Sequence, residues 1–326
     1  MNATTPTPDR TDVRTALKQG IQLLRTAHVP SDSLAAEVLL IHATSKNRTW
    51  LYTHPEETLA PEVTANYFAL VHRRAQGEPT QHLTGKQEFW GLEFEVTPEV
   101  LIPRPETEHL IEVALDHLAV RELRAGHPQL FTGQGLRILD VGTGSGNIAI
   151  ALAKDLPGAE IFATDISSAA LKIARRNAAR HSFANRIHFL ESNLLDAFSD
   201  ARSSQGASDL GDQHHSPRIS HHPSPFDLII SNPPYIGRRE APTLAREVRD
   251  HEPHAALFGG EEGYEIYGPL ILQAAAHLKP GSLLILELGH DSLAAVQPLL
   301  ETPTWTNIAI TNDLAGIPRV LSAERL

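Results

Sequence analysis

The residues with the clearest chemical content are Asn232-Pro233-Pro234-Tyr235, which close the apolar run Leu228-Ile229-Ile230-Ser231. The run is short enough for a buried strand, and two prolines cannot continue a sheet. Proline fixes φ and has no N–H to donate, so carbonyls beside Asn232 stay free to accept hydrogen bonds. Asn232 adds a side-chain carbonyl and Tyr235 a flat aromatic face. Together the four form a rigid, acceptor-rich cradle suited to a planar NH2 group. The plainer reading is a strand followed by a Pro-Pro turn.

A second stretch, Asp140-Val141-Gly142-Thr143-Gly144-Ser145-Gly146-Asn147, follows a predicted strand and opens a predicted helix. Glycines at alternate positions let a ligand approach the backbone where helix N–H groups point outward, so a nucleotide or nucleoside cofactor is expected. The last glycine stands at Gly146 where the dinucleotide fingerprint would have it at Asn147, which disfavours NAD. No Lys-Ser/Thr ending is present, which disfavours a phosphate-binding P-loop. About twenty residues on, Asp165 ends the next predicted strand, where a carboxylate can accept from both ribose hydroxyls. It could alternatively cap the helix that begins near Ser167. Asp140 is expected to orient the glycine loop or reach the amino-acid end of a cofactor.

Strand-helix alternation after residue 135 positions these groups. Strands are predicted at 137–141, 160–166, 186–190, 226–231 and 282–288, with helices near 147–154, 169–181, 264–278 and 291–300. That spacing gives a mostly parallel sheet covered on both faces. Two further strands, near 307–311 and 319–323, are predicted to close it as an antiparallel pair. Ahead of it, Val13, Leu17, Ile21 and Leu24, then Leu34, Val38, Leu39 and Ile41, recur at helical spacing, with Pro30-Ser31-Asp32 as stop and cap. Pro61 opens a helix carrying Val63, Tyr67, Leu70 and Val71. Period-two alternation through Phe89, Leu92, Phe94 and Val96 predicts a hairpin. The expected organisation is a helical domain over 1–86, a hairpin connector over 87–104, and an α/β domain over 105–326. A Ser/His-rich stretch at 199–225, containing His214, His215, His221 and His222, is expected as a flexible insertion, its histidines solvated rather than metal-bound.

With 28 Lys+Arg against 39 Asp+Glu in 326 residues, the formal charge is −11, which argues weakly against nucleic acid as the main partner. Zero cysteines exclude disulfides, thiolate metal sites and a Cys nucleophile. The polar opening, 1–10, has no apolar core of an export signal, and no run is long enough to span a bilayer, so a soluble, unexported protein is expected.

The chain resembles the class I S-adenosylmethionine-dependent methyltransferases, and within them the release-factor glutamine methyltransferases of the PrmC/HemK family. The resemblance is carried by Pro79 to Glu95, Leu101 to Glu108 (LIPRPETE), Asp140 to Gly146 (DVGTGSG), Ser231 to Tyr235 (SNPPY), Leu257 to Gly263 (LFGGEEG) and Ala315 to Arg319. It implies a Rossmann-like α/β methyltransferase domain preceded by a small helical partner-binding domain. It further implies methyl transfer from S-adenosyl-L-methionine to the glutamine amide of the Gly-Gly-Gln motif in class I peptide chain release factors. By motif, Gly142, Thr143, Gly144, Ser145, Gly146, Asp165 and Asn232 would bind the cofactor. Asn232, Pro233, Pro234 and Tyr235 would bind the target glutamine, with Asn232, Pro233 and Tyr235 catalytic. Pro103, Arg104, Pro105, Glu106 and Thr107 would help line the site. A cytoplasmic monomer without a metal, a membrane anchor or a direct nucleic-acid contact is implied as well.

Two positions depart from the family pattern. Leu194 and Leu195 stand where an aromatic residue often covers adenine, and His290-Asp291-Ser292 where a glutamine is usual. Two other functions use the same cradle and loop: an adenine amino-methyltransferase acting on DNA, and a non-catalytic S-adenosylmethionine-binding adaptor. A basic groove would favour the first; loss of the Asn232 to Tyr235 stretch would favour the second.

Overall fold

The computed structural model describes residues 11–124, 132–199 and 225–326. The insertion expected at 199–225, with its four histidines, lies outside the described residues except for its two ends, as does the opening decapeptide. The chain divides into two compact units. One takes in the described residues up to Gln87 together with Val96–Pro98 and Thr243–Glu252; the rest of the described chain forms the other.

The first unit is helical: α1 (Val13–Thr26), α2 (Asp32–Thr44), α3 (Arg48–Thr53), α4 (Pro61–Ala75) and α5 (Thr80–Thr84). Its core gathers Val13, Leu24, Leu39, Leu40, Tyr67, Leu70 and Val71. Asp12 caps α1 by accepting from Thr15 N at 2.7 Å, and Asn47 caps α3 by accepting from Trp50 N at 2.8 Å. The expected cap of α2 differs. Ser31 stands at the N-cap in a left-handed conformation without a side-chain cap bond, and the Asp32 carboxylate is taken by Arg25 at 2.8 Å. The predicted α2 stripe also shifts, because Leu34 is 56% exposed while Ala35, Ala36, Leu39 and Leu40 turn inward.

The second unit contains most of the hairpin β1 (Lys86–Phe89) and β2 (Leu92–Glu95), then α6 (Glu108–Arg124), β3 (Arg137–Val141), α7 (Asn147–Asp155), β4 (Glu160–Asp165), α8 (Ser168–Arg180), β5 (Ile187–Glu191), β6 (Phe226–Ser231) and the short β7 (Ile236–Gly237). After α9 (Arg246–His251), which belongs to the helical unit, follow α10 (His254–Leu257), β8 (Phe258–Gly260), α11 (Tyr267–His277), β9 (Leu278–Glu287), α12 (Leu293–Val296), β10 (Trp305–Asn312) and β11 (Pro318–Arg325).

Seven strands form one sheet in the order β10-β11-β9-β6-β3-β4-β5. Strands β5, β4, β3, β6 and β9 run parallel, and β11 pairs antiparallel with both β9 and β10, as the sequence predicts. Successive residues of a strand enter opposite cores. Ile138, Leu228 and Ile285 pack with Leu110, Ile111 and Ile148 on one face; Leu139, Ile229 and Leu284 pack with Tyr267, Leu270 and Ile271 on the other. Each such buried side chain contributes about 1.5–3 kcal/mol, so the central strands are held from both sides. Phe89 and Phe94 join the first of these cores.

Two elements differ most from their predicted extents. Strand β9 starts at Leu278, through Lys279-Pro280-Gly281, because Leu278 pairs with Phe226 before a register shift to Leu228/Leu283. The predicted helix at 291–300 is only the four-residue α12 followed by a 3₁₀ turn at Gln297–Leu299, since Pro298 has no N–H to extend the ladder.

Candidate active site

Strand register brings the separated motifs together. Val141 of β3 lies opposite Thr164 of β4 and Ser231 of β6, and Ser231 lies opposite Leu286 of β9. The Ser231 hydroxyl donates to the Val141 carbonyl at 2.7 Å and locks the two strand ends level. The next residues along each strand, Gly142, Asp165, Asn232 and Glu287, therefore emerge at one end of the sheet. The chain passes from β3 to β4 on one side, while β6 adds to the other, and this reversal is where open α/β sheets bind ligands.

The glycine loop takes left-handed conformations at Gly142 (φ 74°), Gly144 (φ 54°) and Gly146 (φ 84°). A Cβ added at Gly142 or Gly144 would meet nothing within 4 Å, so open space lies above the loop, whereas at Gly146 it would press on Ile150 and Ala174. Gly142 and Thr143 N–H donate to the Thr164 carbonyl at 2.9 and 2.8 Å. The Thr143 and Ser145 side chains are buried: Thr143 Oγ1 donates to Asp140 Oδ2 at 2.6 Å and Ser145 Oγ reaches Asn147 Oδ1 at 3.4 Å. Both are thus turned into the protein.

Asp140 also accepts from Ala149 N at 3.2 Å, while its Oδ1 is buried without a partner. Burial pushes its carboxyl up to about 7, against the Thr143 and Ala149 hydrogen bonds. Asp165 accepts from Gly144 N and from Ser167 N, each at 2.8 Å, and burial raises its pKa. It does not cap α8, because Ser167 fills that role through Ala170 N. Alternating open glycines at a helix start, with a carboxylate across the loop, fit a nucleoside ligand.

At the end of β6, Asn232 is half-buried and donates from Nδ2 to Thr107 Oγ1 at 3.1 Å. Pro233 is buried, and Pro234 and Tyr235 are half-buried. The Tyr235 ring lies against Gly289, where an added Cβ would come within 3.0 Å of it. Its hydroxyl donates to Glu287 Oε1 at 3.3 Å, and burial raises its pKa. A Cβ on Gly259 would run into the Pro234 carbonyl, and one on Gly263 into the Tyr235 carbonyl. This close approach explains the glycines of the Leu257 to Gly263 stretch.

A curated protein from Koribacter versatilis named release factor glutamine methyltransferase is 41% identical over 313 residues, covering 96% of this chain and 98% of its own length. The chain belongs to the release factor glutamine methyltransferase family. A relative of the same name from Burkholderia pseudomallei is 37% identical, covering 98% of this chain and 97% of its own. Residues 15–85 match the PrmC N-terminal domain family, and residues 132–287 a methyltransferase domain family. Among solved structures, the hMettl16 catalytic domain in complex with MAT2A 3′UTR hairpin 1 is similar at TM-score 0.50 and 17% identity, covering 78% of this chain and 80% of that one. That likeness concerns the fold alone.

Of the other residues that the family resemblance points to, Pro103 and Thr107 are buried, Arg104 is half-buried, and Pro105 and Glu106 are exposed at a 3₁₀ turn. Leu195 sits in the core, so only half-buried Leu194 is available at that loop. Sequence reasoning missed two residues. Ile166, directly after Asp165, is 62% exposed; an aliphatic residue leaving a buried strand was its only signal. Glu287 is 0% exposed at the end of β9, and an acid inside the apolar run Leu283 to Leu288 was the corresponding sign. Among the described residues, no three His, Asp or Glu side chains are placed to hold a metal ion.

Proposed function

We propose that this chain transfers a methyl group from S-adenosyl-L-methionine to the side-chain amide nitrogen of the glutamine in the Gly-Gly-Gln motif of class I peptide chain release factors. The observation that carries the reading is Asn232: its NH2 is engaged by Thr107, which leaves its oxygen for a substrate N–H, level with the glycine loop. Membership of the release factor glutamine methyltransferase family supports the choice of acceptor.

S-adenosyl-L-methionine, when bound, supplies the electrophilic methyl group. Backbone of Gly142, Thr143, Gly144, Ser145 and Gly146 would hold it with Asp165, and Ile166 and Leu194 offer apolar surface beside them. The target amide is a poor nucleophile because its lone pair is delocalised into the carbonyl. The Asn232 oxygen and the Pro233 carbonyl accept its two N–H bonds and fix the direction of the nitrogen lone pair, so positioning replaces a strong base. As the nitrogen gains positive character, both acceptors bind it more tightly than in the ground state, and once it carries the methyl group one of its two protons is lost to solvent water. Tyr235 covers the flat amide. The helical unit engages the body of the factor, and the enzyme acts as a cytoplasmic monomer without direct nucleic-acid contact. Among the described residues no helix is long and apolar enough to cross a membrane.

The test is transfer of labelled methyl from S-adenosyl-L-methionine to a release factor, to the same factor with its motif glutamine replaced, and to DNA. Label on the unaltered factor alone is expected. Label on DNA alone would favour the adenine amino-methyltransferase, and label on nothing the adaptor.

A further inference from the structure

Beside Asn232 lies a buried group that holding the cofactor and amide does not require. Glu287 is fully buried; its Oε1 accepts from Tyr235, and its Oε2 has no hydrogen-bond partner among the described residues. The Thr107 hydroxyl faces this carboxylate and favours its ionised form. The same hydroxyl accepts from Asn232 Nδ2 at 3.1 Å. A hydroxyl has one hydrogen and two lone pairs. A facing carboxylate favours the rotation that points this hydrogen toward the anion, which leaves lone pairs for Asn232, and only the NH2 side of an amide can answer them.

We propose that Thr107, oriented by Glu287, is a positioning residue that turns the Asn232 side chain so that its oxygen, and not its NH2, faces the substrate amide. The proposal rests on Asn232 being the acceptor for the target glutamine. Turned the other way, Asn232 would set donors against donors, and the nitrogen lone pair would lose its direction.

The carboxylate is faced by Arg319 of β11, Glu106 of the 3₁₀ turn, Thr107 itself, Tyr235 and Tyr267 of α11, whose hydroxyl donates to the Glu287 carbonyl at 2.7 Å. Burial pushes Glu287 up to about 7, with the Thr107 hydroxyl and Arg319 acting against it. Once Glu287 is protonated, Thr107 no longer faces an anion, and Asn232 is free to flip and accept the hydroxyl hydrogen. Turnover therefore rises with pH through neutrality.

The full chain is tested on a release factor with labelled S-adenosyl-L-methionine. Thr107→Val removes the hydroxyl at nearly constant volume, and Thr107→Ser keeps it. The Val variant should lose on the order of 10- to 100-fold in kcat, with cofactor Kd and release-factor KM each within about threefold, as for a fault of orientation and not of binding. The Ser variant should stay within about threefold of the unaltered protein in kcat. Glu287→Gln should flatten the rise of kcat through pH 7. It keeps the proposal testable if the Val variant folds poorly. A Val variant with unaltered kcat, a Ser variant as impaired as the Val one, or an unchanged pH profile in Glu287→Gln would each overturn it. Unaltered protein that leaves the factor unlabelled would instead overturn the substrate reading, and this proposal with it.

Discussion

Replacing Glu287 by glutamine should make the protein more stable above neutral pH while lowering its turnover. Glu287 is wholly buried, and burial moves its carboxyl from 4.5 up to about 7. The folded chain therefore keeps a proton that the unfolded chain releases, and stability falls as pH rises through that window. At about 1.4 kcal/mol per pH unit, the displacement is a penalty of about 3 kcal/mol on the folded state at pH 8. Glutamine removes that penalty and leaves one buried NH2 to satisfy, which costs about 1–2 kcal/mol. A net gain of about 1–2 kcal/mol at pH 8 follows. Asp140, also pushed up to about 7, titrates in both proteins and drops out of the comparison. Urea unfolding of both proteins at pH 8 and pH 5 measures the effect. The variant should lead at pH 8, and its advantage should shrink by about 2–3 kcal/mol at pH 5. A variant less stable at pH 8 by the same margin as at pH 5 would show that the Glu287 hydrogen bonds outweigh the burial of its charge, and the reasoning would fail.

Asp165→Ala removes the acceptor of both Gly144 N and Ser167 N. It should cost about 2 kcal/mol of stability and weaken S-adenosyl-L-methionine binding by at least about tenfold; calorimetry showing unaltered affinity would contradict its role. Gly20→Ala should destabilise the helical unit, because the new Cβ would overlap the Tyr67 hydroxyl and come within 2.8 Å of the ring carbon bearing it. Overpacking of about 1–3 kcal/mol then exceeds the helix-propensity gain of about 1 kcal/mol, and a higher melting temperature would refute the clash. Cofactor affinity of that variant should be unaltered.

Much of this was legible because the signals are local. Strands β3 and β6 begin and end where their apolar runs do, and glycine spacing alone marks the loop that takes three left-handed conformations. The parallel sheet followed from the strand-helix rhythm. What stayed hidden depends on contacts between distant parts of the chain. Nothing in the sequence around Thr107 shows that its hydroxyl meets Asn232, 125 positions away. Glu287 reads as an ordinary acid near a strand end until β11 and α11 close over it. Local conformation hid other features: Ser31 is left-handed and makes no cap bond, and the nearby Arg25 takes the Asp32 carboxylate. The inward turn of Thr143 and Ser145 is set by Asp140 and Asn147, which a list of motif residues does not reveal.

If Asn232 holds a release-factor glutamine for methylation, removing its side chain must slow transfer to that glutamine. Tandem mass spectrometry of a release factor treated with S-adenosyl-L-methionine and either the unaltered chain or Asn232→Ala tests it most directly. With the unaltered chain, one added methyl on the glutamine of the Gly-Gly-Gln motif is expected. With Asn232→Ala the rate should fall by about 100-fold, or about 3 kcal/mol of barrier, with cofactor still bound. A methyl on any other residue, or an Asn232→Ala protein that modifies the glutamine at the unaltered rate, would contradict it.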